Sequence, residues 1–153
     1  IVVSVAWDVA AAVPDPEIPV LDIAEMGILR SVEVDASGHV IVTITPTYSG
    51  CPAMKAIEDT IRAEMGRAGF ADFEIRTQLA PAWTTDWMTD DALRKLEDHG
   101  IAPPTRTGEP IEVRCPQCKS SSTDVISPFG STACKALMVC SEGGEPFHHF
   151  KPI

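Results

Sequence analysis

Five cysteines are the residues of this sequence best suited to do chemistry: Cys51 alone, then Cys115, Cys118, Cys134 and Cys140 within one short stretch. Arg114-Cys115-Pro116-Gln117-Cys118 has the form of a zinc knuckle, two thiolates on a tight turn that can share one tetrahedral ion. A complete ribbon needs a second Cys-x-x-Cys, and Cys140-Ser141-Glu142-Gly143 puts glycine where the fourth sulfur belongs. Cys134 is one candidate for the missing ligand, although its spacing is not that of a knuckle; His148, His149 and Glu142 are others. The remaining reading is a degenerate ribbon that folds on packing without metal. A redox dithiol fits less well, because Cys115 does not open a helix after a strand.

Cys51 belongs to a different setting. The β-type run Val40 to Thr45 stops at Pro46, which cannot donate a ladder hydrogen bond. A polar turn then delivers Cys51, with Pro52 at the expected first position of a helix. Backbone N–H groups and the positive end of a helix dipole at that point favour thiolate, the form that attacks electrophiles and binds soft metals. The alternative is a buried, inert structural cysteine. One thiolate is too few for a stable cluster site, so a dimer or a client would have to complete the shell. Upstream, Asp15-Pro16-Glu17-Ile18-Pro19-Val20 reads as rigid and extended, holding two carboxylates in place at low entropic cost. Its alternative is a solvated linker.

Composition narrows the function classes. The chain has 153 residues, enough for one domain plus a small appendage, and a formal net charge of −10. Without a concentrated basic patch, that charge argues against nucleic acid. No apolar run approaches the ~18 residues that span a bilayer. Opening at Ile1, the chain reads as a processed or trimmed product, and the opening lacks the charged n-region of a secretory signal. An odd cysteine count without such a signal points to a reducing compartment, and the expected location is the cytosol.

The elements that must position these residues follow from periodicity and punctuation. A short helix is expected within Val2–Val13, ended by Pro14, although the β-branched Val2, Val3 and Val5 also suit a strand at its start. Strands are expected over Ile28–Val34 and Val40–Thr45, joined by the hairpin turn Asp35-Ala36-Ser37-Gly38-His39, where His39 is expected to be solvated. Met54, Ile57, Ile61 and Met65 recur at helical spacing within Ala53–Ala68, and Phe73–Leu79 alternates as a third strand. Pro81 to Met88 is an aromatic loop; its Trp83 and Trp87 either cover a core edge or line a partner groove, and the covering role is favoured. Thr89 opens a capped helix that runs to about Asp98. Residues 103–110 read as a linker, and the remaining 111–153 as a second unit with strands over Cys134–Cys140 and Phe147–Phe150. The expected fold is α+β: a small three-stranded sheet with helices on one face, followed by a β-rich zinc-ribbon-like unit. No oxygenase motif and no glycine-rich dinucleotide turn is present, and neither His39 nor His99 has the sequence context of a general base.

Two sets of residues together resemble known families. Asp15-Pro16-Glu17-Ile18-Pro19 and Thr47-Tyr48-Ser49-Gly50-Cys51-Pro52 resemble the SufT-like and cytosolic iron–sulfur targeting proteins. In that family the DPE segment and the T-x-x-x-C-P cysteine mark the functional face. The resemblance therefore implies an iron or iron–sulfur site at Cys51, Asp15, Glu17 and Thr47 within an assembly domain over residues 1–102. Further motifs narrow the match to the PaaD (PaaJ) family of the bacterial phenylacetyl-CoA epoxidase system. They are Trp83-Thr84-Thr85-Asp86-Trp87, Gly100 to Pro104, Arg114 to Cys118, Phe129 to Ala136 and Glu145-Pro146-Phe147. That resemblance spans nearly the whole chain. It implies a part in aerobic phenylacetate catabolism beside a di-iron oxygenase and an iron–sulfur flavin reductase, with an accessory role in assembling or delivering an iron–sulfur or iron centre. It also implies zinc on the ribbon cysteines, with Gly143 standing where the family carries the last of them. A non-catalytic adaptor that binds only zinc is the competing expectation. An enzyme using Cys51 as covalent nucleophile ranks third.

Overall fold

The computed structural model describes residues 2–47 and 53–153. Cys51, on which the first site depends, and its neighbours from Tyr48 to Pro52 lie outside the described residues. The chain divides into two compact units, Ile1–Trp87 and Met88–Ile153.

The first unit opens with helix α1 (Val2–Ala11), which buries only its small residues Ala6 and Ala10. Val2, Val3, Val5 and Trp7 are exposed, so the close approach of α1 to its neighbours depends on residues with almost no side chain. Strands β1 (Leu29–Val34) and β2 (Val40–Ile44) form the antiparallel hairpin, and helix α2 (Ala53–Arg67) crosses over to β3 (Phe73–Thr77), parallel to β2. The order β1-β2-β3 makes β2 the central strand. Its Val40, Val42 and Ile44 point into a core shared with Ile57, Ile61 and Met65 of α2, the periodic residues of the sequence.

Three details of this unit differ from expectation. The Asp15–Val20 segment is a compact turn rather than an extended arm. Asp15 Oδ1 accepts from the backbone N–H of Glu17 at 2.7 Å and of Ile18 at 3.0 Å, while Asp15 N–H donates to the Leu21 carbonyl at 2.8 Å. An aspartate that satisfies the backbone two and three residues on closes a turn, and this outweighs the extended preference set by the prolines. His39 is not a freely solvated turn residue. The parallel register places Asp72 and Glu74 beside it, and its ring nitrogens contact their carboxylates at 2.6 and 3.0 Å. Third, the aromatic loop contains a 3-10 turn, Thr85–Trp87. Trp83 takes the covering role: it is buried, and its Nε1 donates to the Met26 carbonyl at 2.8 Å. Trp87 carries the Arg30 guanidinium 3.7 Å above its ring.

The second unit begins with α3 (Asp90–Asp98), N-capped by the Thr89 side chain. A four-stranded sheet follows, built from β4 (Ile101–Ala102), β5 (Thr123–Ser127), β6 (Lys135–Cys140) and β7 (Pro146–Phe150) in the order β4-β7-β6-β5. β4 runs parallel to β7, and β6 is antiparallel to both of its neighbours, β7 and β5. Its small core contains Ala102, Cys115, Ala136, Met138, Cys140 and Phe147, with Val113 packed against it. Two of these residues are thiols, so sulfur lies inside this cluster beside the hydrocarbon. Among the described residues no helix is long and apolar enough to cross a membrane.

Candidate metal centre

The Cys115 turn folds back on itself through two backbone bonds. Cys115 N–H donates to the Ser120 carbonyl at 2.9 Å, and Lys119 N–H donates to the Cys115 carbonyl at 2.8 Å. The chain reverses at Lys119, whose φ of 64° lies in the left-handed region that a side chain seldom occupies. This geometry aims backbone N–H groups at sulfur. Those of Cys118 and Gln117 reach Cys115 and, with the Cys118 and Cys140 thiols, hold its pKa below the ordinary thiol value against the effect of burial. At Cys118 the Ser120 N–H also favours thiolate, but the Cys140 and Cys115 sulfurs and desolvation together outweigh it and raise the pKa.

Cys140 ends β6 and starts a loop with the same pattern. Its N–H donates to the Glu145 carbonyl at 3.0 Å, and Gly144 N–H donates to the Cys140 carbonyl at 2.7 Å. Gly144 takes the left-handed position with a φ of 71°, and Gly143 N–H points at Cys140 Sγ from 3.4 Å. Residues 140–145 are therefore a second knuckle in backbone terms, although the sequence shows only one of its two cysteines.

The two turns bring Cys115, Cys118 and Cys140 together with all three sulfurs within 4.8 Å of one another, and Cys118 and Cys140 are 3.5 Å apart. Cys115 and Cys140 are buried and Cys118 is exposed. Three converging thiols whose sulfurs are met by backbone N–H groups suit a soft divalent metal, which needs deprotonated sulfur and tolerates burial when its charge is matched. The residues fit such an ion.

The other sequence candidates go elsewhere. Cys134 lies just before β6, its thiol 3.0 Å from Thr132 Oγ1, and it is not in the cluster. His148 Nε2 accepts from Ser131 N–H at 3.3 Å. His149 is buried on β7 opposite Ala136, its Nε2 takes no hydrogen bond among the described residues, and burial, helped by Lys151, lowers its pKa. Glu142 is exposed on the loop. Of the residues expected to serve an iron site, buried Asp15 and half-buried Glu17 lie in the turn after α1, and half-buried Thr47 follows β2. Sequence reading gave no weight to Thr45. It is buried just after β2, and its Oγ1 takes no hydrogen bond among the described residues.

Fold and site together define a protein that joins an iron–sulfur-assembly-type α+β unit to a cysteine ribbon. The family model described as "Iron-sulfur cluster assembly protein" matches residues 7–71, and that described as "PaaD zinc beta ribbon domain" matches residues 101–151. The chain is 50% identical over 151 residues to one of the subunits of the Escherichia coli (strain K12) "Putative 1,2-phenylacetyl-CoA epoxidase", covering 96% of this chain and 91% of that one. It is 35% identical over 83 residues to the Porphyromonas gingivalis "Fe-S protein maturation auxiliary factor", covering 54% of this chain and 78% of the relative. The fold resembles a Bacillus anthracis crystal structure of a domain of unknown function, DUF59, with a TM-score of 0.57 at 24% identity, covering 62% of this chain and 91% of that one. The chain belongs to the PaaD family.

Proposed function

We propose that the chain is an accessory, non-catalytic component of a phenylacetyl-CoA epoxidase system, and that it assembles or delivers an iron–sulfur or iron centre. The supporting observation is a likeness at two levels: nearly the full length aligns with a protein of such an epoxidase, and part of the chain aligns with an iron–sulfur maturation factor. In this reading Cys51 holds the iron or cluster in transit, and Asp15, Glu17 and Thr47 complete or tune its surroundings. The ribbon holds zinc on Cys115, Cys118 and Cys140 and docks the client, a di-iron oxygenase or an iron–sulfur flavin reductase. A single cysteine at the transfer point needs a second copy of this chain or the client itself to complete the shell. The protein then works in the cytoplasm, where its thiols stay reduced.

A second reading is an adaptor that binds only zinc. It draws on the three-cysteine group, the metal-competent set found among the described residues. One experiment separates the two: zinc and iron analysis of protein purified without oxygen, wild type beside Cys51→Ser, with client activation measured in parallel. Iron in the wild type alone, with an inactive client for the variant, supports the carrier. Zinc in both, no iron after reconstitution and a fully active client would leave the adaptor.

A further inference from the structure

The two knuckles match in backbone but not in sulfur. In each, the first cysteine donates its N–H to the carbonyl five residues on, and its own carbonyl accepts from the N–H four residues on. In each, the fourth residue after that cysteine is left-handed, Lys119 in one and Gly144 in the other. The third residue after it is Cys118 in the first knuckle and Gly143 in the second. Glycine there is not required by the backbone, since the left-handed position belongs to Gly144. A Cβ built on Gly143 meets nothing closer than Cys140 Sγ, at 3.9 Å, an ordinary contact. The position has room for a side chain, sits beside the cluster and is exposed to solvent. No histidine, carboxylate or fourth cysteine among the described residues joins the three sulfurs.

We infer that the metal centre is open at the corner beside Gly143, and that this corner takes a thiolate from outside the chain. A closed four-thiolate site is structural, whereas three protein ligands leave a position for exchange. A soft three-sulfur set selects sulfur as its fourth partner, and the incoming thiol binds as thiolate, losing its proton to solvent as it displaces water. A low-molecular-weight thiol and a protein cysteine share this chemistry. The inference rests on the ribbon holding metal.

Cobalt(II) substitution of the full chain, purified reduced and without oxygen, tests it, because sulfur-to-cobalt absorption grows with the number of thiolates. Wild type is expected to bind about one cobalt per chain. Titration with 2-mercaptoethanol should then raise the charge-transfer intensity by about a third, three thiolates becoming four. Gly143→Cys should show the higher intensity from the start and ignore the added thiol. If wild type at high protein concentration and without added thiol gains the same intensity as it dimerises, a cysteine of a second copy is the source; a gain only on adding thiol identifies the small thiol. A wild type that already matches Gly143→Cys at low concentration, or whose spectrum thiol leaves unchanged, overturns the open corner. Cobalt in neither protein, or in Gly143→Cys alone, overturns the metal reading beneath it.

Discussion

At the scale of single residues, the three-thiol cluster makes a sharp division among the four cysteines of the described residues. Cys115→Ser, Cys118→Ser and Cys140→Ser each remove one of the cluster's three sulfurs and should abolish zinc binding at the ribbon. Cys134→Ser, whose thiol faces Thr132, should retain about one metal per chain. Metal stoichiometry after gel filtration checks this, and loss of metal from Cys134→Ser would place that sulfur in the centre after all. His39 makes a separate prediction. Hydrogen bonds to Asp72 and then Glu74 raise its pKa above 6.5. A raised pKa favours the folded state while the ring is protonated. The stabilisation is therefore fully present below pH 6.5 and is lost as pH rises through the folded value. Imidazole NMR should show the upward shift, and His39→Gln should remove that part of the pH dependence from urea unfolding. A His39 that titrates at or below 6.5 would contradict the contact.

Elements here are joined by small, specific junctions. Gly27 precedes β1 with a φ of 78°, and a Cβ there would lie 2.6 Å from Trp87 Cβ and 2.9 Å from the Trp87 carbonyl oxygen. Left-handed strain of about 1–2 kcal/mol and an overlap costing about 1–3 kcal/mol both oppose any side chain at this position. Gly27→Ala should lower unfolding stability by about 2–5 kcal/mol in urea titrations. Thr89→Ala, which removes the hydroxyl that accepts from Ala92 N–H at 3.1 Å, should cost about 1 kcal/mol in the same measurement. A loss for Gly27→Ala no larger than that for Thr89→Ala would mean that the turn before β1 relaxes around the added methyl.

Across the whole molecule, the two units are stabilised by different means. The first buries a continuous set of aliphatic residues drawn from α2, the hairpin and the turns between α1 and β1. In the second, beside buried Leu96 and Phe150, the cluster around the knuckles has six buried residues, and two of them are metal-competent thiols. Metal should therefore contribute to folding in the second unit and not in the first. At free zinc a hundredfold above its dissociation constant the linkage is about 2.7 kcal/mol, or a hundredfold in the opening equilibrium. Chelation under reducing conditions should speed amide exchange in β6 and β7 by about that factor while leaving β2 nearly unchanged. Equal protection with and without chelator would show that packing alone holds the ribbon.

Much of this was legible in the sequence because it depends on local pattern. The 3.6-residue recurrence of Ile57, Ile61 and Met65, the alternation of β2, the Thr89 cap and the first Cys-x-x-Cys each carry their own physics within a few residues. What the sequence could not show depended on partners distant along the chain, or on a backbone that different side chains can adopt. The parallel register that sets Asp72 and Glu74 against His39 is of the first kind, as is the pairing of two-residue β4 with β7. The turn that folds Asp15 onto its own backbone is local, but there the aspartate's side chain competes with the extended preference of the prolines, and the sequence does not say which wins. The second knuckle is of the second kind: its reversal rests on main-chain hydrogen bonds and a left-handed Gly144, and the first knuckle makes the same bonds with a cysteine at the matching place. By itself the sequence determined that the second knuckle has glycine where its second cysteine belongs. Only the tertiary structure decided that the place for it is still built.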